Sequence, residues 1–174
     1  MLLIKTDRLC LKPLDTSFCN SEYLKWLNDN DVLRYLETQK GTTLKELHQY
    51  LENIEKNKIY SWAIIINETK RHIGNIKIDP IDFKNGFAEY GIMIGDKNSW
   101  GYGYAKEASI GILNFCFYNL NLRKINLGVL KVNSRAIKLY ESLGFVSEGI
   151  FKEHKKFQGG FCDEIRMAIF NDNL

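Results

Sequence analysis

The stretch SWGYGYAKEAS, residues 99–109, places small residues at alternate positions directly before a segment with helical spacing. The first turn of a helix leaves backbone N–H groups unpaired, and the helix dipole adds partial positive charge there. Gly101 and Gly103 lack the Cβ atoms that would keep an anion away from those groups. The stretch therefore predicts a cradle for a diphosphate, formed by the loop from Trp100 to Ala105.

Two other phosphate-binding motifs do not fit this stretch. A Walker loop requires G-x-x-x-x-G-K-[ST], which the chain lacks. A dinucleotide-binding fingerprint requires a third small residue where Lys106 stands, within an early βαβ unit. The short motif alone is equally compatible with a flexible loop. Its place between a predicted strand and a crossover helix favours the cradle.

Periodicity outside this stretch predicts the order strand, helices, three strands, helix, strand, helix, two strands. That order indicates a mixed α/β fold: a mostly antiparallel twisted sheet flanked by helices, with one parallel strand pair joined by the crossover helix. Thr43 and Glu46 predict a capping box for a helix whose buried face would carry Leu44, Leu47 and Leu51.

Composition restricts the class of protein. The 174 residues suit one domain spanning 1–174, and a net charge of +3 from dispersed basic residues argues against a nucleic-acid partner. No apolar stretch reaches the roughly 20 residues of a membrane span, and no signal peptide is evident, so a cytoplasmic protein is expected. The scattered cysteines predict thiols rather than disulfides, and no metal-binding spacing occurs.

The run WGYGYAKEA, followed by LNLRKINLGVLKVNSRAIKLYESLGFVSEGIF and DEIRMA, resembles the GNAT superfamily of acetyl-CoA-dependent N-acetyltransferases. TDRLCLKPL and YLKWLNDNDVLRYL near the N-terminus are similar to its ribosomal-protein (RimJ/RimL-like) branch. The family's phosphate motif falls on Trp100, Gly103 and Ala105, with Trp100 in place of the usual first residue. The resemblance covers essentially the whole chain.

The resemblance implies acetyl-CoA as the acetyl donor. Its diphosphate would lie on the loop that includes Tyr102 and Tyr104, and Asn133 would also bind the coenzyme. The parallel strands would splay apart, and the pantetheine arm would pair with the backbone of Ile92, Met93 and Ile94. Tyr140, at the tyrosine of KLYESLGF, would protonate the departing thiolate.

The attacking amine must lose a proton, and we expect Glu89 to accept it, directly or through water, with Glu148 and Glu22 as lesser candidates. His48, His72 and His154 are expected on the surface. The acceptor pocket would be built from the N-terminal helices and the last hairpin, with these candidates: Trp26, Asp29, Tyr35 and Phe157. Asp31 and Glu37 are further charges that would attract an amine cation.

Two functions remain open at this point. The first is acetyl transfer to a small amine, an amino sugar (including an amino-sugar nucleotide) or a protein N-terminus. The alternative is a catalytically silent module that binds acyl-CoA as a sensor. Either a monomer or a homodimer is compatible with the sequence.

Overall fold

The computed structural model describes residues 2–36 and 40–171. The strands of the sheet have these bounds: β1 Ile4–Lys5, β2 Leu9–Pro13, β3 Tyr60–Ile66, β4 His72–Asp82, β5 Phe87–Ile94, β6 Lys124–Leu130, β7 Val146–Phe157 and β8 Gly160–Phe170. The α-helices have the bounds α1 Ser21–Trp26, α2 Asn30–Leu33, α3 Leu44–Asn57, α4 Tyr104–Asn114 and α5 Ser134–Ser142. A π-helical turn, Phe115–Asn119, follows α4.

The strands form one sheet in the order β1-β2-β3-β4-β5-β6-β8-β7. Strands β5 and β6 run parallel, with Phe87 opposite Lys124 and Glu89 opposite Asn126. The registers of β1–β2, β2–β3, β3–β4, β6–β8 and β7–β8 that the structure gives are antiparallel. The predicted fold class is confirmed, including the parallel pair.

Residue contacts divide the chain into two compact units. The first unit comprises Met1–Asp79 and Gly91–Ile112, and the second comprises Pro80–Tyr90 and Leu113–Leu174. The core of the first unit packs α1 and α3 against the sheet through residues that include Tyr23, Leu47, Leu51 and Ile65. Buried residues of the second unit include Ile125, Leu127, Phe145 and Met167.

Helix α3 begins as predicted. The Thr43 side chain accepts from the Glu46 backbone N–H, and the Glu46 carboxylate accepts from the Thr43 N–H, which completes the capping box. The predicted face is wrong at Leu44, which is 50% exposed. Leu44 stands at the first position of the helix, and the buried positions are Leu47, Leu51 and Ile54.

The cysteines at positions 10, 19, 116 and 162 are all free thiols, as predicted. Cys116 is fully buried, and burial raises the pKa of its thiol to about 12. It is therefore a small apolar core residue rather than a nucleophile. No helix of the described residues has the length and apolarity needed to cross a membrane.

Candidate active site

The loop before α4, in the first unit, presents a run of backbone donors. From Gly101 to Lys106, the backbone N–H groups donate to no residue in the part of the chain that the structure describes. Gly101 has φ +87° and Gly103 φ +82°, values that L-residues rarely adopt. Apart from its chain neighbours, no described residue lies within 4 Å of where a Cβ would stand at Gly101, and at Gly103 only the Arg8 guanidinium does, at 3.6 Å. The loop thus combines unsatisfied donors with open space.

Glu107 fixes the first turn of α4 to the segment between β1 and β2. Its Oε1 accepts from the Thr6 hydroxyl at 2.6 Å and from the Arg8 N–H at 2.7 Å. Its Oε2 accepts from Arg8 Nε at 2.7 Å. Burial opposes ionisation, but these hydrogen bonds outweigh it and hold the pKa of Glu107 below its ordinary value. The Arg8 guanidinium also lies over the Tyr104 ring at 4.8 Å, so the loop has a cation beside it.

Trp100, at the start of the loop, makes structural contacts. Its indole Nε1 donates to the Ile94 carbonyl at 2.8 Å, and the ring packs against the core of the first unit. Tyr102 and Tyr104 stack with their ring centroids 6.0 Å apart, and the Tyr102 ring is exposed. The side chains of the predicted loop residues therefore divide between the core and the surface.

A cavity of about 410 Å³ lies within the first unit. Its walls come from α1, α3 and strands β3, β4 and β5, and two of the predicted coenzyme residues, Ile92 and Met93, line it. Most of the wall is apolar. Its polar members are Tyr23, Thr42, Glu46, Tyr50, Ser61, Asn75 and Lys77.

The charges of this cavity are few. Glu46 is the one carboxylate among the described lining residues, and the hydrogen bonds from Thr43 lower its pKa. The Lys77 side chain extends over Gly91, within 3.6 Å of where a Cβ would stand, and its ammonium pairs with no carboxylate of the described residues. Burial raises the pKa of Tyr23 far above its ordinary value, so its phenol stays neutral.

A smaller cavity, of about 240 Å³, is lined by Asn20, Glu22, Trp26, Arg71, His72 and Asp96. The prediction of a surface position for His72 is wrong, because Phe18, Tyr23 and Trp26 surround its ring with centroids 4.9 to 5.7 Å away. Its Nε2 lies 2.9 Å from both the Gly74 carbonyl and the Asn75 Oδ1. Because the carbonyl is only an acceptor, Nε2 carries the proton, and burial lowers the pKa of the ring.

The predicted acceptor residues are dispersed. Trp26 packs against Gly95 so closely that a Cβ there would lie 2.1 Å from the indole. Asp29 caps α2 and pairs with Lys97 at 2.7 Å, and Lys97 also binds Asp31. Tyr35 lies under the Arg34 guanidinium. Phe157 ends β7 in the second unit, opposite Gly160, and Glu37 falls outside the described residues. None of the four candidates lines the larger cavity, and their role in binding an acceptor stays a prediction.

Tyr140 lies on α5 in the second unit, 9% exposed. The rings of Tyr90 and Phe145 pack against it with centroids 6.0 and 5.8 Å away. Burial raises the pKa of Tyr140 to about 12. The phenol is therefore protonated throughout the neutral and mildly alkaline range, as a proton donor requires.

The other two predicted site residues of the second unit have structural partners. The Asn133 side chain caps α5 by accepting from the Ala136 N–H at 3.2 Å. Glu89 lies on β5, and its Oε1 accepts a hydrogen bond from Arg166 Nη2. The lesser candidate Glu148 pairs with Lys124 at 2.7 Å. In the first unit, Glu22 pairs with Lys25 at 2.6 Å. His48 and His154 are half-exposed.

Sequence reasoning missed Arg8, Asn75, Lys77 and Arg166. The alternation in HIGNIKI placed Asn75 and Lys77 on the same face of a strand, but it did not show which face borders a cavity. Arg166 is 77 positions from Glu89, and only the sheet brings them together. In the described part of the chain, no three His, Cys, Asp or Glu side chains are grouped to hold a metal ion.

Comparison with known proteins identifies the class. The family model "Acetyltransferase (GNAT) domain" matches residues 8–146. The chain is 30% identical over 173 residues to the uncharacterized N-acetyltransferase p20 of Bacillus licheniformis, covering 97% of this chain and 96% of that protein. It is also 30% identical over 165 residues to a spermidine N(1)-acetyltransferase of Vibrio cholerae, covering 94% and 93%.

Solved structures agree with this assignment. The spermidine N-acetyltransferase of Vibrio cholerae, in complex with CoA and spermine, superposes with a TM-score of 0.84 at 26% identity and covers 94% of this chain and 95% of that one. A ribosomal-protein-S5-alanine acetyltransferase of Vibrio fischeri shares the fold, with a TM-score of 0.84 at 18% identity over 99% and 98%. The chain belongs to the GNAT acetyltransferase family. It is an acetyl-CoA-dependent N-acetyltransferase whose acceptor these comparisons leave open.

Proposed function

We propose that this protein transfers the acetyl group of acetyl-CoA to a primary amine by direct attack of the amine on the thioester. The observation that carries the proposal is the run of N–H groups from Gly101 to Lys106, at the start of α4, that donate to none of the described residues. These groups offer donors to a diphosphate, and Arg8 supplies a cation beside Gly103. The residues present therefore fit the coenzyme.

Acetyl-CoA supplies an activated thioester when it is bound. In this proposal, the backbone of Ile92, Met93 and Ile94 pairs with the amides of the pantetheine arm, as an added strand would. Trp100, Tyr102, Tyr104 and Ala105 shape the loop that holds the diphosphate. Asn133 contributes its side-chain amide to the coenzyme.

Two proton movements complete the proposal. Glu89 takes a proton from the acceptor amine, because an ammonium has no lone pair with which to attack. Tyr140 gives its phenolic proton to the departing thiolate, and the burial that keeps the phenol neutral supports this role. Each proton transfer uses one side chain of this protein, so a single substitution at Glu89 or at Tyr140 tests it.

We propose that the acceptor is an amine on a largely apolar body, held in the larger cavity. Ile92 and Met93, which would pair with the pantetheine arm, line this cavity. Among the described residues, Glu46 is the one carboxylate that lines the cavity and it is already hydrogen-bonded, whereas Lys77 has no carboxylate partner there. A polyamine carries several positive charges, so we expect spermidine, the substrate of the Vibrio cholerae relative, to be a poorer acceptor here.

The test is the release of CoA thiol from acetyl-CoA in the presence of a panel of amines. The panel contains a peptide with a free α-amine, an amino-sugar nucleotide, a hydrophobic amino acid and spermidine. Release with at least one member supports transfer. Calorimetric binding of acetyl-CoA with no release across the panel would instead favour the silent sensor. Release that is fastest with spermidine would contradict the acceptor class.

A further inference from the structure

A row of charged side chains crosses one face of three neighbouring strands in the second unit. Glu89 lies on β5, and both Arg166 and Glu164 lie on β8. Strand β6 runs between them, with Asn126 opposite Glu89 and Gly128 opposite Arg166. The Arg166 guanidinium reaches across β6 and donates from Nη2 to Glu89 Oε1.

Gly128 makes this reach possible. A Cβ atom at that position would lie 2.7 Å from Arg166 Nη1 and 2.6 Å from Glu164 Oε1. Any side chain there would occupy the space that the guanidinium and the carboxylate now fill. Because Gly128 has no side chain, the charged groups of β5 and β8 can meet across β6.

The other end of the row holds the guanidinium in place. Glu164 is 7% exposed, and its Oε2 lies 3.8 Å from Arg166 Nη1. The same carboxylate has His154 Nε2 at 3.8 Å and Lys155 Nζ at 3.9 Å. Arg166 thus lies between two carboxylates, and a buried, multiply contacted partner limits its rotation.

Glu89 has a different environment at each oxygen. Arg166 occupies Oε1, whereas Oε2 accepts no hydrogen bond from the described residues. Asn126, the cross-strand neighbour, gives no donor to either oxygen in the described structure. Arg166 is therefore the group that orients this carboxylate.

We propose that Arg166 is a positioning residue for Glu89: it holds Oε1 and leaves Oε2 available to accept the proton of the amine. The inference rests on the proposed function, in which Glu89 is the proton acceptor. In that step, an N–H bond of the amine breaks, its electron pair stays on nitrogen, and an O–H bond forms at Oε2. The proton then passes to water, which restores the carboxylate.

The experiment compares Arg166→Met and Arg166→Lys with the parent in the thiol-release assay, using the best acceptor of the panel. Arg166→Met is expected to lower kcat roughly 10- to 100-fold, the effect of misplacing a catalytic group by about 1 Å. KM for acetyl-CoA should stay within about twofold, and Arg166→Lys should recover part of kcat. Arg123→Met is the matched control, because Arg123 Nε donates to the Asn85 carbonyl and not to Glu89.

The variant Glu89→Gln tests the proposed role of Glu89 as the base separately from the positioning role of Arg166. If Glu89→Gln kept the parental kcat, Glu89 would not be the base, and the inference about Arg166 would fail with it. A large loss in Glu89→Gln together with parental kcat in Arg166→Met would overturn the positioning role alone. The double variant should be no slower than Glu89→Gln, since a positioning residue has nothing left to orient. Equal loss in Arg166→Lys and Arg166→Met, with a lowered melting temperature in both, would also overturn it.

Discussion

The coenzyme loop allows a sharp test through Gly103. We predict that Gly103→Ala weakens the binding of CoA in addition to the loss of stability that an L-residue causes at this backbone conformation. The new methyl group would meet no atom of the described residues closer than the Arg8 guanidinium at 3.6 Å, so the protein itself accommodates it. It would instead stand in the open space beside the Arg8 guanidinium, where the diphosphate is proposed to lie.

The two free energies can be separated. At φ +82° an L-residue costs about 1–2 kcal/mol relative to glycine, and the free energy of unfolding should fall by that amount. A diphosphate displaced from one amide loses a charge-assisted hydrogen bond of about 1.5–3 kcal/mol. The Kd for CoA should therefore rise roughly 10- to 150-fold.

Gly159→Ala is the matched control. Gly159 has the same φ of +82° and no atom within 4 Å of its Cβ position, but it lies in the turn between β7 and β8. Urea unfolding should give both variants the same loss of stability, and isothermal calorimetry should give only Gly103→Ala a raised Kd. Parental affinity in Gly103→Ala would refute the seating of the diphosphate on this loop.

Three further outcomes are expected. Tyr140→Phe should lower kcat about 10²-fold or more and leave the Kd for CoA nearly unchanged, in thiol-release kinetics and calorimetry. In the parent, the raised pKa of about 12 keeps the Tyr140 phenol protonated, so Tyr140 should cause no loss of rate up to about pH 9. Thr43→Ala should lower the free energy of unfolding by about 1 kcal/mol in urea, through loss of the capping box. Burial lowers the pKa of His72 below its ordinary 6.5, so folding stability should be complete above that pH and decline below it.

Each of these outcomes has a control. Parental kcat in Tyr140→Phe would exclude Tyr140 as the donor, and Tyr118→Phe, at an exposed position, serves as the comparison. Thr43→Ser keeps the capping hydroxyl and should retain most of the stability. The unfolded chain binds the His72 proton more readily than the native chain, so His72→Gln should reduce the decline between pH 6.5 and 5. An unchanged decline would assign it to other groups.

Local patterns in the sequence were sufficient for the elements and their caps. The capping box of Thr43 and Glu46 was predicted correctly, because it depends on residues within one turn. The parallel pairing of β5 and β6 was also predictable, since a crossover helix between consecutive strands makes them parallel. The predicted surface position of His72 was wrong because its three aromatic neighbours come from other parts of the chain: Phe18 precedes α1, and Tyr23 and Trp26 lie on it.

The sequence by itself therefore determined the fold class, the start of α3 and the loop of small residues at Gly101 and Gly103, because backbone preferences and hydrophobic spacing act over a few residues. Only the tertiary structure decided which charges are already paired. The contact of Arg166 with Glu89, and the lack of a described carboxylate beside Lys77, depend on strand register, which brings together residues far apart in the chain. Pairing of this kind has no local signature, since any charged residue on the correct face would satisfy the pattern.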